Sequence, residues 1–143
     1  MSLTVLSPAT GSTGLSLPLF LERCPAGFPS PATDYVEAEL DLNDYCIRHP
    51  SATYFVRASG SSMQDMGIHD GDLLVVDRSL QARHGDVVIA ETEGEFTVKC
   101  LLLRPRLALQ PMNPAWPVIY PDPEQLVIFG VVTHFIHRTR ARR

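Results

Sequence analysis

The chain has 143 residues, 45% of them hydrophobic, and a formal net charge of −4, which allows one domain with a core of its own and excludes two full domains. Four positive charges sit in the last six residues, Arg-Thr-Arg-Ala-Arg-Arg, leaving the rest at −8; such an acidic body lacks the clustered basic residues that duplex nucleic-acid binding requires. Three cysteines without metal-like spacing favour a reducing compartment over a disulfide framework, and the longest apolar stretch, residues 126–132, is far too short to span a membrane.

Residues 1 to about 32 are rich in Ser, Thr, Gly and Pro, with Pro8, Pro18, Pro25, Pro29 and Pro31 and almost no charge. Proline stops helices and removes ladder donors, so this segment reads as an extended, mobile arm. It has neither the basic nor the apolar region of a secretory signal, and the expected location is cytoplasmic. Within the arm, Leu15, Leu17, Leu19 and Leu21 alternate with polar or proline positions, the pattern of a short strand able to dock onto the body.

A short helix is expected over residues 41–48, with Asp41 as cap and Leu42, Tyr45 and Cys46 on one face. Beyond Pro50 the pattern becomes β. Strands are expected over residues 53–58, 72–77, 86–92 and 95–103, the last two joined by the turn pair Glu93-Gly94. Residues 106–110 add an edge strand, residues 111–123 form a proline-rich loop carrying Trp116, and residues 126–136 form the last strand. Short strands with Gly and Pro turns at this spacing predict a mainly β domain, barrel or sandwich-like.

The chain has eleven arginines and a single lysine, Lys99, in the apolar run Glu95-Phe-Thr-Val-Lys-Cys-Leu-Leu-Leu103. On a strand, Thr97, Lys99 and Leu101 share one face, while Phe96, Val98 and Cys100 share the other. An ammonium moved into an apolar site loses its proton readily, which makes Lys99 a candidate general base. The competing structural reading is a snorkelling lysine that blunts a strand edge.

Upstream, Ala58-Ser-Gly-Ser-Ser-Met63 ends a predicted strand in a turn that carries hydroxyls. A neutral lysine can deprotonate such a serine, as in Ser-Lys catalysis; a turn serine bonded to its own backbone is the bland alternative. Together with Gly27-Phe-Pro-Ser-Pro-Ala-Thr-Asp-Tyr-Val36, His49-Pro-Ser-Ala-Thr-Tyr-Phe-Val56, Asp70-Gly-Asp-Leu-Leu-Val-Val-Asp77, His84-Gly-Asp-Val-Val-Ile-Ala90, Gly94-Glu-Phe-Thr-Val-Lys99 and Phe129-Gly-Val-Val132, this block resembles the LexA/UmuD family of self-cleaving serine-lysine proteins. The resemblance runs from about Phe28 to the last strand.

The resemblance implies a compact β domain of short twisted strands over residues 29–143, behind a flexible, cleavable arm of residues 1–28. It implies Ser62 as nucleophile, Lys99 as general base, the Ala26-Gly27 bond as the cleavage site, and backbone N–H groups of Ser62 and Met63 at the oxyanion. It further implies a homodimer, stimulation by the RecA–single-stranded DNA filament, and action of the processed form with a UmuC-type polymerase subunit in SOS translesion synthesis. No cofactor, no membrane and no direct sequence-specific DNA binding are implied. The chain departs from the family in four places: Ser61 stands where an acidic residue often precedes the nucleophile, Cys100 where a second lysine is common, Pro25-Ala26 displaces Cys24 from the bond, and the first 20 residues show little resemblance.

Other residues read as structural. His49, His69, His84, His134 and His137 show no ligand spacing, so no metal site is expected. Asp70, Asp72, Asp77 and Asp86 read as turn and strand-end residues, with Asp77 or Asp86 also able to steer a partner, and Cys46 and Cys100 as small core hydrophobes. Trp116 reads as a lid over the core or a dimer contact. Three other functions compete. A non-enzymatic dimeric binding module of the same fold has no use for serine, lysine and a cleavable bond together. A DNA-binding repressor would need roughly 60 more N-terminal residues for its helix-turn-helix. A signal peptidase would need a membrane anchor.

Overall fold

The computed structural model describes residues 2–8, 14–20 and 36–140; the Ala26-Gly27 bond, Leu21 and Cys24 lie outside them. Among the described residues the fold is mainly β, as expected. Strands β1 (Ser2–Pro8), β2 (Ser16–Phe20), β3 (Val36–Asp41), β4 (Thr53–Ser59), β5 (Leu73–Asp77), β6 (Val87–Thr92), β7 (Glu95–Leu102), β8 (Ala108–Gln110) and β9 (Val127–Ile136) form two antiparallel sheets. The larger has the order β1-β4-β5-β9-β6-β7-β8, and the smaller pairs β2 with β3. Edge strand β1 also approaches β7, so the larger sheet curls back on itself.

Local chemistry accounts for the strands that carry the site. The β6–β7 hairpin closes through Glu93 and Gly94, whose φ values of 53° and 78° are the two positive angles that a two-residue primed turn demands. Apolar residues on opposite faces of these strands fill two clusters. Val56, Ala58, Met63, Ile68, Leu74, Val76, Ile89 and Val98 form one, and Val88, Ala90, Leu101, Leu109 and Val131 the other. Cys100 is buried, as expected of a small core hydrophobe, and its thiol meets the Gly85 carbonyl. In β9, Gly130 lies where a Cβ would stand 2.6 Å from Val76 Cγ1. That approach lets β9 cross the bulge beside β5 and β6.

Several expectations change. The helix, α1, runs only from Leu42 to Cys46; Asp41 caps it, accepting from the Asn43 N–H at 2.9 Å, but Leu42 and Tyr45 are exposed and bury no face. The segment read as an arm contributes two strands. β1 pairs with β4 along the edge of the larger sheet, whereas β2, the alternating-leucine strand, pairs with β3 and leaves Leu15, Leu17 and Leu19 exposed. Asp41 ties this smaller sheet to α1, because its second carboxylate oxygen accepts from the Leu15 N–H at 3.1 Å. The expected edge strand β8 is at the edge but begins at Ala108. β7 ends at Leu102, and Leu103 is exposed.

Candidate active site

Strand β4 delivers the serine. After Ser59 the chain turns at Gly60 (φ 93°), and a 3-10 turn over Gln64–Met66 ends at Gly67 (φ 94°), two angles that glycine adopts at no steric cost. Met63, fully buried among Val56, Ala58 and Ile68, anchors the backbone beside Ser62. Polar contacts hold the turn from both sides. The Gly60 N–H donates to Asp70 Oδ1 at 2.8 Å, and Asn113 Nδ2 donates to the Ser61 carbonyl at 2.8 Å.

The proline-rich loop therefore has a place beside this turn. Its Met112 carbonyl accepts from the Asp65 N–H at 2.6 Å, and half-exposed Trp116 directs Nε1 toward Ser61 Oγ at 3.4 Å. Trp116 stands against the serine turn, a position that neither sequence expectation for it named. Asn113 gave no sequence signal at all, because its partner lies 52 residues away.

Strand β7 delivers the lysine. It lies between β6 and β8, and Lys99 is 4% exposed, which rules out a snorkelling edge lysine. Burial holds its ammonium down, to a pKa of about 8. Nζ meets three oxygens, Thr97 Oγ1 at 2.6 Å, Val98 O at 3.1 Å and Ser62 Oγ at 3.2 Å. Ser62 itself is fully buried. In the charged state the three N–H groups match three acceptors. In the neutral amine two N–H groups can stay on Thr97 and Val98, which turns the lone pair toward the Ser62 hydroxyl. Thr97 thus orients the amine, a role announced in the sequence only by its place two residues before Lys99 on the same strand face.

The acidic residues behave as turn and strand-end groups. Asp86 accepts from the Arg83 N–H, Asp77 from Ser79 N–H and Oγ–H, and Asp72 from the His69 N–H. Asp77 also meets His49 Nδ1 at 2.6 Å, which pins the end of β5 to the segment before β4. Burial raises the Asp77 carboxyl, but hydrogen bonds from Ser79 and His49 outweigh it and leave the pKa below its usual value. Three of these residues come together in space although their sequence spacing shows no ligand pattern: His69, Asp72 and His137 each bring a ligand atom to within 4.8 Å of the others. Their spacing hid this, since His137 reaches Asp72 across 65 residues.

Comparison with known proteins adds the wider context. Residues 18–133 match the family described as Peptidase S24-like. Protein SamA of Salmonella typhimurium is 62% identical over 139 residues, covering 97% of this chain and 98% of its own. Protein MucA of Escherichia coli is 57% identical over 136 residues, 94% of this chain and 93% of its own. The LexA repressor of Methylococcus capsulatus is 42% identical over 127 residues, 87% of this chain but 61% of its own.

Proposed function

The chain belongs to the Peptidase S24-like family, the group of LexA- and UmuD-like proteins, and on that premise we propose that it is a serine peptidase that cuts its own N-terminal arm. Ser62 is the nucleophile and Lys99 the general base. The observation that carries this reading is the buried 3.2 Å contact between Lys99 Nζ and Ser62 Oγ.

Neutral Lys99 takes the Ser62 hydroxyl proton as Oγ attacks the Ala26 carbonyl. The N–H groups of Ser62 and Met63 receive the developing oxyanion. When the Ala26-Gly27 bond breaks, the Lys99 ammonium gives its proton to the Gly27 amine. Water, deprotonated by the same lysine, then hydrolyses the acyl-enzyme and releases residues 1–26. Small side chains on both sides of the bond suit a narrow, bent approach. The burial of both reacting groups favours a substrate delivered by the chain itself over a free peptide.

In this reading the protein is a cytoplasmic homodimer of the SOS response. A RecA–single-stranded DNA filament promotes cleavage by favouring the arrangement in which the arm is seated, a population shift. The processed form acts with a UmuC-type polymerase subunit in translesion synthesis. Its similarity to SamA and MucA over nearly the whole chain supports this context more than its similarity to the LexA repressor, of which it matches only 61%. Incubation with RecA, single-stranded DNA and nucleotide tests the proposal. A shorter product that forms faster with all three components supports it; an unchanged chain under every condition refutes it.

A further inference from the structure

At the far end of the serine loop, three side chains from separate segments converge. His69 lies in the loop after Gly67, Asp72 directly before β5, and His137 directly after β9. Asp72 is the buried member, its side chain 2% exposed. Its Oδ1 meets His137 Nδ1 at 2.6 Å, and its Oδ2 accepts from the His69 N–H at 2.7 Å. Its backbone is fixed as well, because the Asp72 carbonyl accepts from the Ala58 N–H of β4 at 2.9 Å.

The two imidazoles are half-exposed, and their centroids stand 4.7 Å apart. His69 Nδ1 is 4.0 Å from Asp72 Oδ2, too far for a hydrogen bond. A rigid, buried carboxylate thus faces two adjustable imidazoles that open to solvent.

From this juxtaposition we infer that His69, Asp72 and His137 form a three-ligand site for a divalent transition-metal ion of the zinc class. Two imidazoles and one carboxylate are the donor set that zinc accepts, with water completing the coordination from the exposed side. Tetrahedral ligand atoms about 2.1 Å from the ion stand about 3.4 Å from one another. The 2.6 Å contact between His137 and Asp72 Oδ1 must therefore open by about 0.8 Å, and ligand atoms that now lie within 4.8 Å of one another must close by up to about 1.4 Å. Rotation of the half-exposed rings supplies that movement while Asp72 stays in place. Magnesium is excluded by its preference for oxygen ligands.

The bound ion would clamp the end of β9 to the loop that carries the serine. That loop connects to the site through two further bonds, Gly60 N–H to Asp70 Oδ1 and Ile68 N–H to the Met63 carbonyl. The inference is independent of the peptidase reading, since neither Ser62 nor Lys99 is a ligand.

The test uses the full chain bearing Ser62→Ala, so that processing cannot alter it, stripped with chelator and titrated with Zn2+ or Mg2+ by calorimetry. Ligand variants are His69→Ala and His137→Ala, both half-exposed positions, with His134→Gln as control. The expected result is one Zn2+ per chain, no Mg2+ binding, an unchanged control, and a loss of affinity of roughly 10- to 100-fold or more in each ligand variant. Co2+ should give the visible absorption of a tetrahedral site in the parent and not in the variants. Absence of Zn2+ binding, or Zn2+ binding that survives both ligand substitutions, would overturn the inference.

Discussion

Lys99 Nζ and Ser62 Oγ stand 3.2 Å apart although 37 positions separate them in the chain. β7 supplies one and the turn after β4 the other, and the core closes around both. In water this amine would keep its proton up to about pH 10.5; here burial brings its pKa to about 8.

The first prediction follows from that value. Self-cleavage should speed up about tenfold per pH unit below pH 8 and level off above it, as the neutral amine becomes the main form. Lys99→Arg should be inactive at every pH, since arginine keeps its proton. Lys99→Met should also be inactive, yet more stable than the parent by up to about 3 kcal/mol at pH 7. The sign comes from linkage. Below pH 8 the parent bears the full cost of a buried ammonium, and that cost fades as pH rises from about 8 toward 10.5. Denaturant unfolding of the pair at pH 7 and pH 10 measures the difference. A gap that widens with pH would contradict it.

Thr97 orients the lysine through a 2.6 Å contact. Thr97→Val should slow cleavage by about 10- to 100-fold, whereas Thr97→Ser, which keeps the hydroxyl, should restore most of the rate. Single-turnover rates on protein of matched thermal stability separate orientation from loss of fold. Equal rates in the two variants would remove Thr97 from the machinery.

Asn113 holds the Ser61 carbonyl from a loop distant in sequence. Asn113→Ala should loosen the serine turn, lowering the cleavage plateau several-fold without moving the pH midpoint, because burial of Lys99 is untouched. A shifted midpoint at an unchanged plateau would contradict a positioning role.

Asp77 joins Ser79 and His49 at the end of β5. Its carboxyl has a lowered pKa in the folded chain, so its contribution is present above the unfolded value near 4 and disappears as pH falls through the folded value. Asp77→Asn should cost about 1–3 kcal/mol at pH 7 and much less near pH 2. Chemical denaturation at the two pH values reads this directly; an equal cost at both would exclude the linkage.

The strands around Ser62 and Lys99 were legible because their signals are local. Apolar runs in β5, β6 and β9 and the Glu93-Gly94 turn announce themselves within a few residues. So did the facing of Thr97 and Lys99, which follows from strand alternation alone. β1 was hidden by its Ser- and Pro-rich surroundings, which mimic an unstructured arm. β3, Val-Glu-Ala-Glu-Leu-Asp, combines weak strand formers and, among the described residues, pairs only with exposed β2. The grip of Asn113 on Ser61 and the meeting of His69, Asp72 and His137 depend on chain closure over 52 and 65 residues, which no local pattern encodes.

The most direct measurement is the intact mass of the purified chain after incubation at pH 9, alongside Ser62→Ala and Lys99→Ala. The parent should lose residues 1–26 and leave a product beginning at Gly27, while both variants keep their full mass. Cleavage that persists in either variant would contradict the dyad, and a product that begins elsewhere would contradict the Ala26-Gly27 bond.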